Sequence, residues 1–297
     1  MNVKGYSYLF SGMAVVGVYV ALSKPLTQAF PVFLLATLRF AIAALLMLPW
    51  LFEKSPGDLG AAQRLSPPIK KTLFWQSFFG NFLFSIFMLY GVSQTSATAS
   101  GVILASLPAV VAIFSWMFLK EILSSRTVLA AGLAFAGVAS LSIVKDASGV
   151  MSVVGNVLVF CCVCCEAVYI ILGKRLTKSL SPKRISALIN LIGLALMLPF
   201  GIWQALKFDF SAVSVTVWGL LVFYAVAASM LSTWLWLTGL KTVPASHSGV
   251  FTIALPMAAT FVGVQFLGES LTLVHVVAFA CAIAGILLIA TSARDAE

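Results

Sequence analysis

From one end of the chain to the other, long apolar runs alternate with short polar ones. The apolar runs are about 18 to 22 residues long, the length that crosses a hydrocarbon core as a helix, and they lack the two-residue alternation of a membrane β-strand. Ten spans are predicted, over residues 6–23, 31–51, 72–91, 99–119, 126–143, 152–172, 185–204, 214–237, 247–266 and 273–291. The expected class is therefore an all-α integral membrane protein.

The pattern is also duplicated. Residues 97–108 read ATASGVILASLP and residues 245–256 read ASHSGVFTIALP, so Ala97, Ser100, Gly101, Val102, Leu107 and Pro108 recur 148 positions later as Ala245, Ser248, Gly249, Val250, Leu255 and Pro256. A second set recurs 150 positions on, with Tyr19, Leu22, Lys24, Met47 and Pro49 matched by Tyr169, Leu172, Lys174, Met197 and Pro199. The predicted division is a first five-helix repeat over 1–145 and a second over 150–293. Five is odd, so the second repeat enters the membrane from the other side and the two are inverted. Such a pair supplies two alternative gates, because each half can adopt the conformation of the other.

Composition agrees with the pattern. Of 297 residues, 61% are hydrophobic and 9% charged, with a mean hydropathy of +1.08, whereas soluble domains are about half apolar and about a quarter charged. The net charge of +9 sits in the loops. On the side of the N-terminus lie Lys4, Lys54, Arg64, Lys70, Lys71, Lys120, Arg126, Lys174, Arg175, Lys178, Lys183, Arg184, Lys241 and Arg294; the other side holds only Lys24, Lys145 and Lys207. By the positive-inside rule both termini are cytoplasmic, in a multi-pass protein of a bacterial-type cytoplasmic (inner) membrane. The basic excess thus implies a lipid bilayer as partner and no nucleic acid. Lys24 follows the first apolar run, and that run has a counterpart in the second half, so it reads as a retained helix and not a signal peptide. Residues 52–71 read as a cytoplasmic surface loop.

The residues resemble a known family. Ala254 to Thr272 (ALPMAATFVGVQFLGESLT) and its first-half counterpart Ser106 to Ser124 (SLPAVVAIFSWMFLKEILS) share a mid-helix proline, small residues, then a leucine and a glutamate at the helix end. With LRFAIAALLMLP from Leu38 to Pro49 and EAVYIILGKRL from Glu166 to Leu176, the whole chain is similar to the drug/metabolite transporter superfamily of EamA type. The resemblance implies a secondary transporter with a small-molecule substrate, in a group many of whose members export amino acids or related metabolites. It also makes Glu121 and Glu269 the family's helix-end glutamates, with either a capping role at the following helix or a gating role. Glu166 departs from the family pattern, in which an aromatic residue often precedes the small residue that is Ala167 here.

Candidate chemistry follows from polar or helix-breaking residues at mid-depth. Pro108 and Pro256 each remove a backbone hydrogen bond, which frees the carbonyls of Leu104 and Thr252. Freed acceptors are tolerated against protein or a wet cavity, so these prolines are either packing kinks or pathway lining. Arg39 and Glu166 stand well inside spans, where a charge costs at least ~2.5 kcal/mol. They pair with one another, or each faces the bundle interior, Arg39 meeting a substrate carboxylate and Glu166 taking up a proton. Asn81 and Ser229 occupy matching repeat positions and need partners within helix contacts or in a central cavity. His247, whose ordinary pKa is about 6.5, is a weaker proton-relay candidate.

Cys161, Cys164 and Cys165 share a helical face, but without a second ligand set they read as small apolar residues, and no metal site follows. No nucleotide-binding motif is present and no cofactor is expected. Comparing the halves sets Arg39 opposite Asn190 and Glu166 opposite Val16. The expected activity is alternating-access transport that is not enzymatic, with proton coupling as a candidate. A flippase for lipid-linked substrates or a non-transporting membrane assembly factor is the alternative. A homodimer is neither required nor excluded by these features.

Overall fold

The computed structural model describes residues 3–22, 24–53, 65–94, 103, 104, 106–143, 153–266 and 273–292. Ser100, Gly101 and Glu269 lie outside the described residues. The elements are α1 (Val3–Leu22), a short α2 (Lys24–Ala29), α3 (Val32–Leu46), α4 (67–94), α5 (Leu107–Leu119), α6 (Ser125–Ile143), α7 (Val153–Leu176), α8 (Pro182–Ala205), α9 (Val215–Thr242), α10 (245–266) and α11 (Leu273–Ser292). Among the described residues there is no strand. Among the described residues four helices are long and apolar enough to cross a membrane, at Val153–Leu176, Pro182–Ala205, Val215–Thr242 and Ala245–Val262, while Val32–Leu46 and Leu107–Leu119 are shorter apolar helices.

Local chemistry accounts for the ends. α8 begins where the Ser181 hydroxyl accepts from the Arg184 amide at 3.2 Å and Pro182 takes the first turn, where its missing N–H costs no bond. α3 stops at Leu46, short of the predicted 51, and the chain runs on as a 3₁₀ turn over Leu48–Phe52 that contains Pro49. α5 differs more. Within the predicted span 99–119, of which 99–102 and 105 lie outside the described residues, Pro108 stands in the first turn of Leu107–Phe114, and the Ser106 amide donates to the Ile103 carbonyl at 3.0 Å. Pro256 likewise follows a 3₁₀ stretch, Gly249–Ile253. Both prolines are accommodated by a change of helical pitch, which removes the ring's clash with the preceding turn.

The outer surface is apolar. Val128, Leu129, Phe261, Val276 and Leu287 are each more than half exposed on α6, α10 and α11, a surface suited to lipid and not to water. The two halves interdigitate: α1 packs against 232–242 of α9 and 254–266 of α10, while α7 packs against 84–94 of α4 and Leu107–Phe114 of α5. α3 pairs with α8 and α6 with α11. These last two contacts join equivalent positions. A methyl on Gly137 would sit 3.0 Å from the Ala278 carbonyl oxygen, and one on Gly285 would sit 3.2 Å from that of Ala130, so each contact is the other with the halves exchanged.

The same exchange corrects one expected pairing. Asn190 Nδ2 donates to the Phe40 carbonyl at 2.9 Å across a separation of 150 residues. The bond reports a contact between the halves, and it is the 150-residue offset that aligns Tyr19 with Tyr169 and Met47 with Met197 that places Ile189, and not Asn190, at the position of Arg39.

Segments predicted to lie on one side of the membrane do meet. At one end Lys183 pairs with Glu53 at 3.3 Å, Arg175 donates to the Phe118 carbonyl at 2.6 Å, and Tyr6 contacts His247. At the other, the Gln204 side chain accepts from the Leu34 amide at 2.8 Å, and Phe30 packs on Phe208 and Trp218.

Candidate functional site

A cavity of about 550 Å³ lies at the centre of the bundle. Arg39, Asn81, Pro108, Glu166, Ser229 and Pro256 all border it, as do Leu104 and Thr252, the residues four positions before the two prolines. It is lined by residues of α1, α3, α4, α5, α7, α8, α9 and α10, from both halves.

Two helices widen at the cavity. Within α4 the turn Phe78–Leu83 is π-helical, and within α9 so is Val226–Leu231, 148 residues later. A π-turn inserts one residue and shifts the hydrogen-bonding register, and it often marks a functional site. Asn81 and Ser229 sit inside these turns. Asn81 Nδ2 donates to Ser77 Oγ at 3.0 Å and to the Ile189 carbonyl at 3.3 Å, so its amide is tied into the contact with α8.

The two charged groups share this space without pairing. The Arg39 guanidinium lies 4.3 Å from the Phe40 ring centroid and 5.8 Å from that of Tyr224. Such contacts offset part of the burial cost of a cation, by about 0.5–2 kcal/mol. Among the described residues no ion pair joins Arg39 to Glu166, and among them Glu166 is the only acidic side chain lining the cavity. Sequence reasoning passed over Tyr19 and Tyr169, which line the cavity and correspond through the repeat. Their recurrence was visible, but their facing was not. Trp236 also lines it.

Glu121 and His247 lie elsewhere. Lys120 ends α5 in the left-handed conformation, φ 56°, and turns Glu121 across to α10. The Glu121 carboxylate accepts from the Ala245 and Ser246 amides, each at 2.9 Å. It therefore caps α10, in the other half, and not the α6 start that follows it in sequence. Beside it, Lys174 Nζ donates to the Leu240 and Val243 carbonyls at 2.7 and 2.6 Å, satisfying the end of α9. His247 Nδ1 is 3.1 Å from the Tyr6 hydroxyl and is not part of the cavity wall. Cys162 and Cys165 are buried, Cys161 and Cys164 are half-buried, and none of the four borders the cavity. Among the described residues no group of three or more His, Cys, Asp and Glu side chains could hold a metal ion.

A helical protein with a lipid-suited surface, two exchangeable halves and, where they meet, a largely apolar cavity set with a few polar and charged side chains has the build of a membrane transporter. The comparisons with known proteins give the same class. The EamA-like transporter family matches residues 3–143 and again residues 153–291, and the chain belongs to that family. The uncharacterized transporter YetK of Bacillus subtilis is 34% identical over 288 residues, covering 95% of this chain and 85% of its own. An uncharacterized transporter of Archaeoglobus fulgidus is 26% identical, with 86% of this chain and 87% of its own covered. A solved crystal structure superposes with a TM-score of 0.79 at 19% identity over 96% of this chain and 98% of that one, a likeness of fold.

Proposed function

We propose that the protein is a secondary transporter that exports amino acids or similar small metabolites across the cytoplasmic membrane, with both termini in the cytoplasm. Ten membrane-crossing helices form two inverted five-helix repeats, over 1–145 and 150–293, and the cavity opens to each side in turn. The observation that carries this reading is the placement of Arg39 and Glu166, unpaired and from different halves, in one cavity. Two opposite charges held apart suit a zwitterion, whose carboxylate and ammonium each meet a partner of opposite sign. Pro108 and Pro256 border the path with loosened backbone, and Asn81 and Ser229 line it.

Glu166 couples export to protons by binding one in the state that lacks substrate. Glu121 acts as a gate contact, holding α5 to α10 at one end. Glu269, its counterpart by the repeat, takes that role in the alternate state. The test is uptake of a panel of amino acids into proteoliposomes with and without a pH gradient. A gradient-driven flux that vanishes in Glu166→Gln supports the reading, and a flux indifferent to both gradient and substitution overturns the coupling.

A further inference from the structure

The repeat relates two walls of the cavity that differ in chemistry. On α9, Ser229, Ser232, Thr233 and Trp236 recur at spacings of three and four, share one face, and all border the cavity. Their equivalents on α4, 148 residues earlier, are Asn81, Phe84, Ser85 and Met88, and these border it too. On α4 the polar groups are satisfied within the protein: Asn81 donates as described, and Ser85 Oγ donates to the Asn81 carbonyl at 2.6 Å. Phe84 and Met88 make the rest of that wall apolar.

On α9 the satisfaction is incomplete. Ser232 Oγ donates to the Ala228 carbonyl at 2.7 Å, but Ser229 Oγ and Trp236 Nε1 are buried without a partner. Their residues are 5% and 2% exposed. A buried donor without an acceptor costs about 1–3 kcal/mol, and this wall carries two of them, two turns apart on one face. Among the described residues Arg39 is the one cation that lines the cavity, and it lacks a carboxylate partner. A carboxylate ligand brings what this space lacks, acceptor oxygens for the donors of the α9 wall and a negative charge for Arg39.

We propose that the cavity holds a monocarboxylate in one orientation: its oxygens accept from Trp236 Nε1–H and Ser229 Oγ–H, and an apolar body lies against Phe84 and Met88. A carboxylate has two oxygens with about four lone-pair sites, enough for both donors. Its single negative charge matches a single arginine in a cavity that already contains a glutamate. A cavity whose halves correspond in backbone is thus directional in chemistry, with the α9 wall reading the head and the α4 wall the body. This inference rests on the cavity being the ligand site proposed above.

The test uses the full-length protein in lipid nanodiscs, with hexanoate as the probe and 1-hexanol, hexylamine and acetate as probes that lack the head charge, its sign or the apolar body. Thermal stabilisation reports binding. Hexanoate is expected to raise Tm, and the other three are not at equal concentration. Trp236→Phe keeps the ring and removes the donor, so hexanoate affinity falls about 10-fold, the equivalent of ~1.4 kcal/mol. Ser229→Ala gives a loss of similar size. The ligand-free Tm of Trp236→Phe stays at or above that of the parent, because an unsatisfied donor is deleted; a purely structural indole would give the reverse.

Hexanoate affinity unchanged by Trp236→Phe, equal stabilisation by 1-hexanol, or no response of the parent protein to hexanoate would each overturn the proposal. Amino-acid flux that proceeds normally in Trp236→Phe and is not competed by hexanoate overturns it while leaving the transporter reading intact. Trp236-dependent hexanoate binding in a protein that moves no solute does the opposite.

Discussion

The centre of the molecule and the end where α5, α7, α9 and α10 meet are both polar places in an apolar bundle, and they are polar in opposite ways. At the end, the two charged groups have their partners: Glu121 holds two amides of α10, and Lys174 holds the Leu240 and Val243 carbonyls where α9 ends. At the centre, Arg39 has only aromatic faces, Glu166 has no ion pair among the described residues, and Ser229 and Trp236 have unmet donors. A satisfied cluster fixes the arrangement of helices, whereas an unsatisfied one leaves free energy for a ligand to recover. Position within the fold, and not residue type, separates the two roles.

The strongest way to break this contrast is to remove a charge from the centre. Arg39→Gln is expected to lower substrate flux in proteoliposomes by about 10- to 100-fold, from the loss of a charged contact of ~1.5–3 kcal/mol, with little change in Tm. A flux within error of the parent would mean that the cation serves packing alone.

Next in size is the crossing between the regions. A methyl on Gly249 would come 2.9 Å from the Pro108 Cα, so the glycine of one signature copy meets the proline of the other. Gly249→Val forces the two copies apart and is expected to cost about 1–3 kcal/mol. Full stability of this variant by thermal unfolding would show that the crossing yields.

At the end cluster the effects are smaller and fall on stability. Glu121→Ala leaves two helix-start amides without their acceptor, a loss of about 1–2 kcal/mol. For a chain of this size Tm should fall by roughly 2–4 °C per kcal/mol. Hexanoate affinity should stay within about twofold of the parent, because the cavity shares no partner with Glu121. A large change in affinity with Tm unmoved would reverse the assignment of roles.

The smallest expected effect is a gain. Lys120 adopts the left-handed conformation that favours glycine, so Lys120→Gly should stabilise the turn by about 1 kcal/mol. A destabilised Lys120→Gly would show that the side chain itself matters there.

Much of this arrangement was legible beforehand, and the reason is local. An apolar run of membrane length declares a helix wherever it falls, and the matched signatures declare the repeat without any fold. Because the repeat aligns Asn81 with Ser229 and Pro108 with Pro256, it also pointed to positions that converge on the cavity. Register was harder: setting Arg39 against Asn190 was one residue out, since the 150-residue offset fixed by Tyr19 with Tyr169 and Met47 with Met197 leads to Ile189, a residue with no likeness to arginine. The π-turns were not legible, because neither Phe78–Leu83 nor Val226–Leu231 carries a breaker residue common to both.

The sequence by itself determined the class of protein, its all-helical character and the duplication, since these depend on hydropathy, length and recurrence read along the chain. Only the tertiary structure decided which polar groups are satisfied. Glu121 reaches α10 and not the next helix, Lys174 closes α9, and Trp236 Nε1 is left without an acceptor because of what packs around each of them across more than sixty residues of sequence. Hydrogen-bond satisfaction is a property of neighbours in space, and it is this property that separates the cavity from the scaffold that holds it.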